Sequence, residues 1–140
     1  MRRLYSGPDD FEAVIRILSF SARGRMTPAF NGLRWDFAYA DDPESHLHAI
    51  WPDFVDENGD SFAPNQALPV DTFLNARMTI VSDEMRAQFH LRRIKAGLRF
   101  YCHEGLKRVA EGQVVKLTGL YLPRTERPIL AHHLLNSVAS

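Results

Sequence analysis

The chain has 140 residues, 45% of them hydrophobic and 24% charged, with 17 Lys plus Arg balanced by 17 Asp plus Glu. That length and balance suit one soluble globular domain and are short for two. Zero net charge argues against strong autonomous nucleic-acid binding, which draws much of its affinity from phosphate neutralisation, although it leaves a local basic face open.

Short apolar stretches separated by turn residues point to strands. The first is Ala13–Phe20, dense in Val14, Ile15, Ile17 and Leu18. Arg23-Gly24-Arg25 reads as a loop and Asn31-Gly32 as a tight turn. Across Leu33–Tyr39, residues Leu33, Trp35, Phe37 and Tyr39 alternate with polar or small neighbours, the mark of a sheet with one buried face. His46–Trp51 is a third strand candidate. Pro52–Val70 carries three prolines and the run Asp56-Glu57-Asn58-Gly59-Asp60, and it reads as an excursion turning in a small hairpin at Asn58-Gly59. The spacing there does not fit an EF-hand, because a glycine at Gly59 would require an acidic first ligand at Phe54.

Met78–Val81 is short and apolar. Two readings stay open for the next segment: a strand over Glu84–Leu91, with Met85, Ala87, Phe89 and Leu91 on one side, or an amphipathic helix over Asp83–Ala96. Leu98, Phe100 and Cys102 alternate with Arg99, Tyr101 and His103, Glu104-Gly105 forms a turn, and Lys107–Leu122 holds a long strand offering Val109, Val115 and Leu117 to the core. Ile129, Leu130, Leu134, Leu135 and Val138 sit at roughly helical spacing near the C-terminus. Seven or so strands with no long helix indicate an all-β barrel or sandwich.

A single cysteine, Cys102, excludes an intramolecular disulfide, and no CxxC pair offers a zinc site. Met1-Arg2-Arg3-Leu4 lacks the apolar stretch of a signal peptide, and no apolar run is long enough to span a bilayer. A cytoplasmic setting without a membrane is the expectation.

Three stretches together resemble the third, C-terminal domain of elongation factor Tu. Phe11-Glu12-Ala13 through Ile17-Leu18-Ser19 leads into Gly24-Arg25-Met26-Thr27-Pro28 and Phe30-Asn31-Gly32-Leu33-Arg34. Phe89-His90 precedes Gly97-Leu98-Arg99-Phe100. Glu104-Gly105, Val109, Gly112 and Val114-Val115-Lys116 close the series. The resemblance covers residues 11–119. It implies a six-stranded antiparallel β-barrel within a single domain spanning residues 1–140, with an insertion at about 52–75 and a C-terminal extension over 120–140.

The resemblance also implies an interface. That barrel packs on a GTPase domain and contacts aminoacyl-tRNA and an exchange factor. Its tRNA-facing loops correspond here to Arg25, Met26 and Thr27, and to His103, Glu104, Gly105, Leu106 and Lys107, with Arg108 extending a small basic patch. The alternative reading is that Arg25 and Thr27 simply close a loop. The family's phosphate-binding GxxxxGK[ST] loop is absent, so no nucleotide or other cofactor is expected. The expected function is a non-enzymatic binding module for a translation-machinery protein or tRNA, or a decoy or regulator that competes for the factor's partners. Trp51, Phe54 and Phe62 form a candidate protein-interaction patch, or else pin the excursion to the barrel.

Two alternatives accompany this reading. One is a small enzyme or metal-binding protein using His46, His48 and His90, with the first two on one strand face. The other is a homo-oligomeric domain. His132-His133 make a poor chelate, and Cys102, pointing away from His103 on a strand, reads as buried and inert.

Overall fold

The computed structural model describes residues 2–44 and 46–124. Six antiparallel strands close a barrel in the order β1-β4-β3-β2-β5-β6. They are β1 (Phe11–Ile17), β2 (Trp35–Tyr39), β3 (His48–Val55), β4 (Phe73–Ile80), β5 (Arg99–Glu104) and β6 (Lys107–Leu117). The expected six-stranded antiparallel barrel is therefore the fold. Closure pairs every strand on both sides and leaves no free sheet edge.

Alternation sets the interior. Phe11, Ala13, Ile15 and Ile17 of β1 point inward, facing Trp35, Phe37 and Tyr39 of β2 and Phe100 and Cys102 of β5. Phe37 and Phe100 stack at 4.7 Å between ring centroids, and Phe11 meets each of them edge-on. In β6 the phase is shifted by bulges. The register skips Val109 opposite Cys102/His103 and Val115 opposite Glu12/Ala13. A bulge moves the following side chains to the other face. Val109, Ala110 and Val114 are consequently buried, while Val115, expected in the core, is half exposed.

Several boundaries differ from the sequence reading. β1 begins at Phe11 and stops at Ile17, and Phe20 lies in a short 3-10 turn, exposed. β3 begins at His48, so His46 precedes the strand, and it continues through Pro52–Val55, which the sequence assigns to the excursion. Pro52 is tolerated because β2 pairs with β3 only as far as Ile50, leaving Pro52 to register with β4 alone. β4 likewise starts at Phe73, well before Met78. The excursion is thus residues 56–72. It contains the expected small hairpin at Asn58-Gly59, where Asp56 Oδ1 accepts from the Asn58 and Asp60 amides at 2.9 and 3.0 Å.

Between β4 and β5 the helical reading holds. α1 (Asp83–Met85) runs through a π-helical turn (Arg86–His90) into α2 (Leu91–Arg93). The Ser82 hydroxyl caps the start by accepting from the Met85 amide at 3.1 Å, with Asp83 and Glu84 in the first turn. This end of the barrel is called the helical end. The opposite end carries the β1–β2 loop, the excursion and the β5–β6 turn, and is called the loop end.

Two buried carboxylates tie distant segments to the wall. Asp53 accepts from Arg77 at 3.2 Å, from the Ser61 hydroxyl at 2.8 Å and from Asn31 Nδ2 at 3.1 Å, fastening the excursion. Asp10 accepts from Arg86 and Arg124, each at 2.6 Å, and from the Ile80 amide at 2.7 Å, fastening the chain after β6 at the helical end. The helix expected over Ile129–Val138, and His132-His133, lie outside the described residues.

Candidate functional site

The β1–β2 loop folds tightly because of its own backbone. The position a Cβ would take on Gly24 is already filled by the Leu18 carbonyl, so only glycine fits. The tight turn aims Arg25 inward across the loop. Its Nη1 donates to the Pro28 carbonyl at 2.5 Å and its Nε to Glu104 Oε1 at 3.0 Å. The second carboxylate oxygen of Glu104 accepts from Trp35 Nε1 at 3.0 Å. Arg25 is therefore spent on closing the loop against the β5–β6 turn, and Thr27 contributes its carbonyl at 3.5 Å to the same closure.

What this bracing holds outward is apolar. Met26 is 79% exposed, Leu106, beside the left-handed Gly105, is 97% exposed and Phe20 is 67% exposed. Six of the ten exposed large hydrophobic residues in the described chain lie at this end, namely these three with Phe30, Val70 and Phe73. Leu18, Phe20, Met26, Pro28 and Val70 line a shallow groove of about 320 Å³ there. The clustering exceeds the scattered single apolar residues that any surface carries.

The basic members of the expected interface adjoin it. Lys107 and Arg108 are exposed at the start of β6, and the Arg108 guanidinium lies 3.4 Å from the Tyr101 ring centroid. His103 pairs across the ladder with Arg108. Partial burial, then the neighbouring Arg108, holds the His103 pKa below its ordinary value and favours the neutral ring. Arg25, Met26, Thr27, His103, Gly105, Lys107 and Arg108 are thus brought to one end of the barrel, although Arg25 serves as a brace.

Trp51, Phe54 and Phe62 do not form one exposed patch. Phe54 is buried edge-on against Trp35, Phe62 packs on the core, and Trp51 stacks on Tyr5 at 5.4 Å. The asparagine of the Asn31-Gly32 turn completes the attachment, its Nδ2 donating to the Phe54 and Phe62 carbonyls at 3.1 and 3.0 Å.

The histidines divide. His48 and His90 meet at the helical end, edge to face, 4.5 Å between centroids. His90 is 1% exposed, its Nδ1 lies 2.6 Å from the Tyr39 hydroxyl, and its Nε2 has no hydrogen-bond partner. Burial, with His48 and Arg93 adding to it, lowers the His90 pKa to about 4, and burial pushes the Tyr39 hydroxyl up. Both partners are thereby kept neutral. The Arg93 guanidinium caps the Tyr39 ring at 4.3 Å and pairs with Asp41 at 3.0 Å. His46 lies outside the strand, and among the described residues no group of three His, Cys, Asp or Glu side chains is placed to hold a metal. Cys102 is buried, and burial pushes its thiol up.

Sequence reasoning named Met26 and Leu106 at this end but missed Phe20, Phe30, Val70 and Phe73. For Phe20, Phe30 and Val70 the available signal was an apolar residue standing at a turn or loop position; Phe73 opens β4 and gave no such signal. No protein-family model matches the chain, and no curated protein matches it.

Proposed function

We propose that the chain is a non-enzymatic binding module that docks a protein partner through the loop end of its barrel. The observation that carries this is the group of exposed apolar residues Phe20, Met26 and Leu106, on a loop and a turn that the Arg25–Glu104 pair holds together. Met26 and Leu106, its two most exposed members, are aliphatic side chains that exclude water well at an interface and give bases no flat surface to stack on. The surface coincides with the loops that the resemblance to elongation factor Tu marks as tRNA-facing, with Met26 and Leu106 standing where that resemblance has a polar residue and a glycine. That coincidence supports a partner in the translation machinery, or a protein that recognises the same barrel, and a cytoplasmic site of action. No described helix is long and apolar enough to cross a membrane.

The test is affinity capture from the protein's own cell lysate at low salt with the wild type and with a Met26→Ser/Leu106→Ser double variant, identifying bound protein and RNA. A protein retained by the wild type and lost by the folded variant is the expected result. Recovery of tRNA in place of protein, or equal recovery by both baits, overturns the reading.

A further inference from the structure

We propose that the segment received by the loop end is an acidic peptide, with carboxylates flanking an apolar anchor. This rests on the docking reading above and names its partner's chemistry. Four exposed cations border the cluster: Arg23, Arg34, Lys107 and Arg108. The fold gathers them from three separate segments. The Leu18 amide donates to the Val109 carbonyl at 2.9 Å, which lays the turn carrying Arg23 beside the start of β6. The register Asp36–His103–Arg108 brings the start of β2, and Arg34 with it, alongside the β5–β6 turn. Leu106 projects from the apex of that turn.

None of these four cations is ion-paired among the described residues, whereas the two nearby glutamates, Glu104 and Glu111, are. Glu104 serves Arg25 and Trp35, Glu111 holds Arg16 at 2.6 Å, and Asp71 accepts from the Ser19 amide at 3.1 Å. Asp36, beside His103 in the ladder, and Asp71 are not ion-paired among the described residues, so two carboxylates stand against the four cations. The acidic hairpin stands over β3 and β4, with Asp56 bonded inside its own turn and Asp60 accepting from the Arg2 amide. The rim of the apolar cluster is therefore positive although the chain as a whole is neutral. Cations around an apolar centre complement carboxylates around an apolar side chain, and guanidinium groups suit carboxylates in particular.

The experiment is selection from a random dodecapeptide display library against the full chain at low salt. The best peptide is then titrated by fluorescence anisotropy with three proteins: the wild type, Met26→Ser/Leu106→Ser, and Arg34→Gln/Lys107→Gln/Arg108→Gln. Thermal melts establish that each variant is folded. The expected result is peptides rich in Asp or Glu beside Leu, Met or Phe. Binding then weakens about tenfold or more in the charge variant and in high salt, and is lost in the apolar variant. Peptides that need Met26 and Leu106 but carry no acidic bias, and ignore the charge variant, overturn the acidic assignment and leave the docking reading standing. Selection of nothing, or of peptides indifferent to both variants, overturns both. Bulk tRNA that displaces the peptide and binds through the same cations overturns the acidic-peptide assignment in favour of nucleic acid.

Discussion

Arg25 and Glu104, 79 residues apart in sequence, are joined by a 3.0 Å hydrogen bond from Nε to Oε1 that staples the loop after β1 to the β5–β6 turn. The bond engages the carboxylate at the turn that carries the exposed Lys107 and Arg108. It also fixes Met26 and Leu106 on either side of the same brace. One pair thus shapes the loop end and removes one free carboxylate from it.

The two halves of that pair should behave differently on removal. Arg25→Ala loses a partly exposed ion pair and should cost less than about 1 kcal/mol in urea denaturation. Glu104→Ala also strips Trp35 Nε1 of its acceptor, which raises the expected cost to about 1–3 kcal/mol. Equal costs would mean that the Trp35 bond contributes nothing.

Asp53→Ala should be far more damaging. The change leaves Arg77, 9% exposed at its side chain, without its carboxylate, and it frees Ser61, Asn31 and the Leu4 amide together. Breaking a buried pair from one side costs about 3–5 kcal/mol. Denaturant titration measures that loss, and faster hydrogen exchange over residues 56–68 should accompany it.

Gly24→Ala should disrupt the loop end, because the new methyl meets the Leu18 carbonyl, a backbone group that cannot swing aside. The barrel does not depend on this loop. The variant should lose about the 1–3 kcal/mol typical of overpacking, a melting point roughly 3–12 °C lower, and lose partner binding while still folded. Unimpaired binding would show that the loop's shape is not needed.

His90 gives the molecule an acid sensitivity. Its pKa falls from the ordinary 6.5 to about 4 in the folded state, so folding favours the neutral ring. The resulting stabilisation is fully present above pH 6.5 and is lost as the pH drops from about 6.5 to 4, by something on the order of 2 kcal/mol. His48, lowered in the same direction by burial and by His46, adds to the effect. A His90→Phe variant keeps an aromatic ring there and should show a flatter stability profile across that window. Parallel profiles would contradict the assignment.

How much of this could be read from sequence varies by element. β2 and β5 show clean period-two patterns, because Trp35, Phe37, Tyr39, Phe100 and Cys102 all face one core. β6 hides its phase, since two bulges break the alternation and the letters alone do not reveal which residue is skipped. Pro52 disguises the second half of β3, and only the divergence of β2 explains its presence in a strand. The charge partners Asp10–Arg86 and Asp53–Arg77 lie 76 and 24 residues apart, so neither is visible in any local pattern. At the loop end Met26 and Leu106 were identifiable, and of the two readings open for Arg25, contact or loop closure, its bonds to Pro28 and Glu104 make it a brace. The exposed character of Phe20 and Leu106 follows from turn geometry that alternation does not encode.

The most direct test of the docking claim is a hydrogen-exchange footprint of the full chain with and without its captured partner. Added protection confined to residues 19–28 and 103–108, with the helical end around Arg86–Arg93 unchanged, is the predicted result. Protection centred on His48 and His90, with the loop end still exchanging freely, would contradict it.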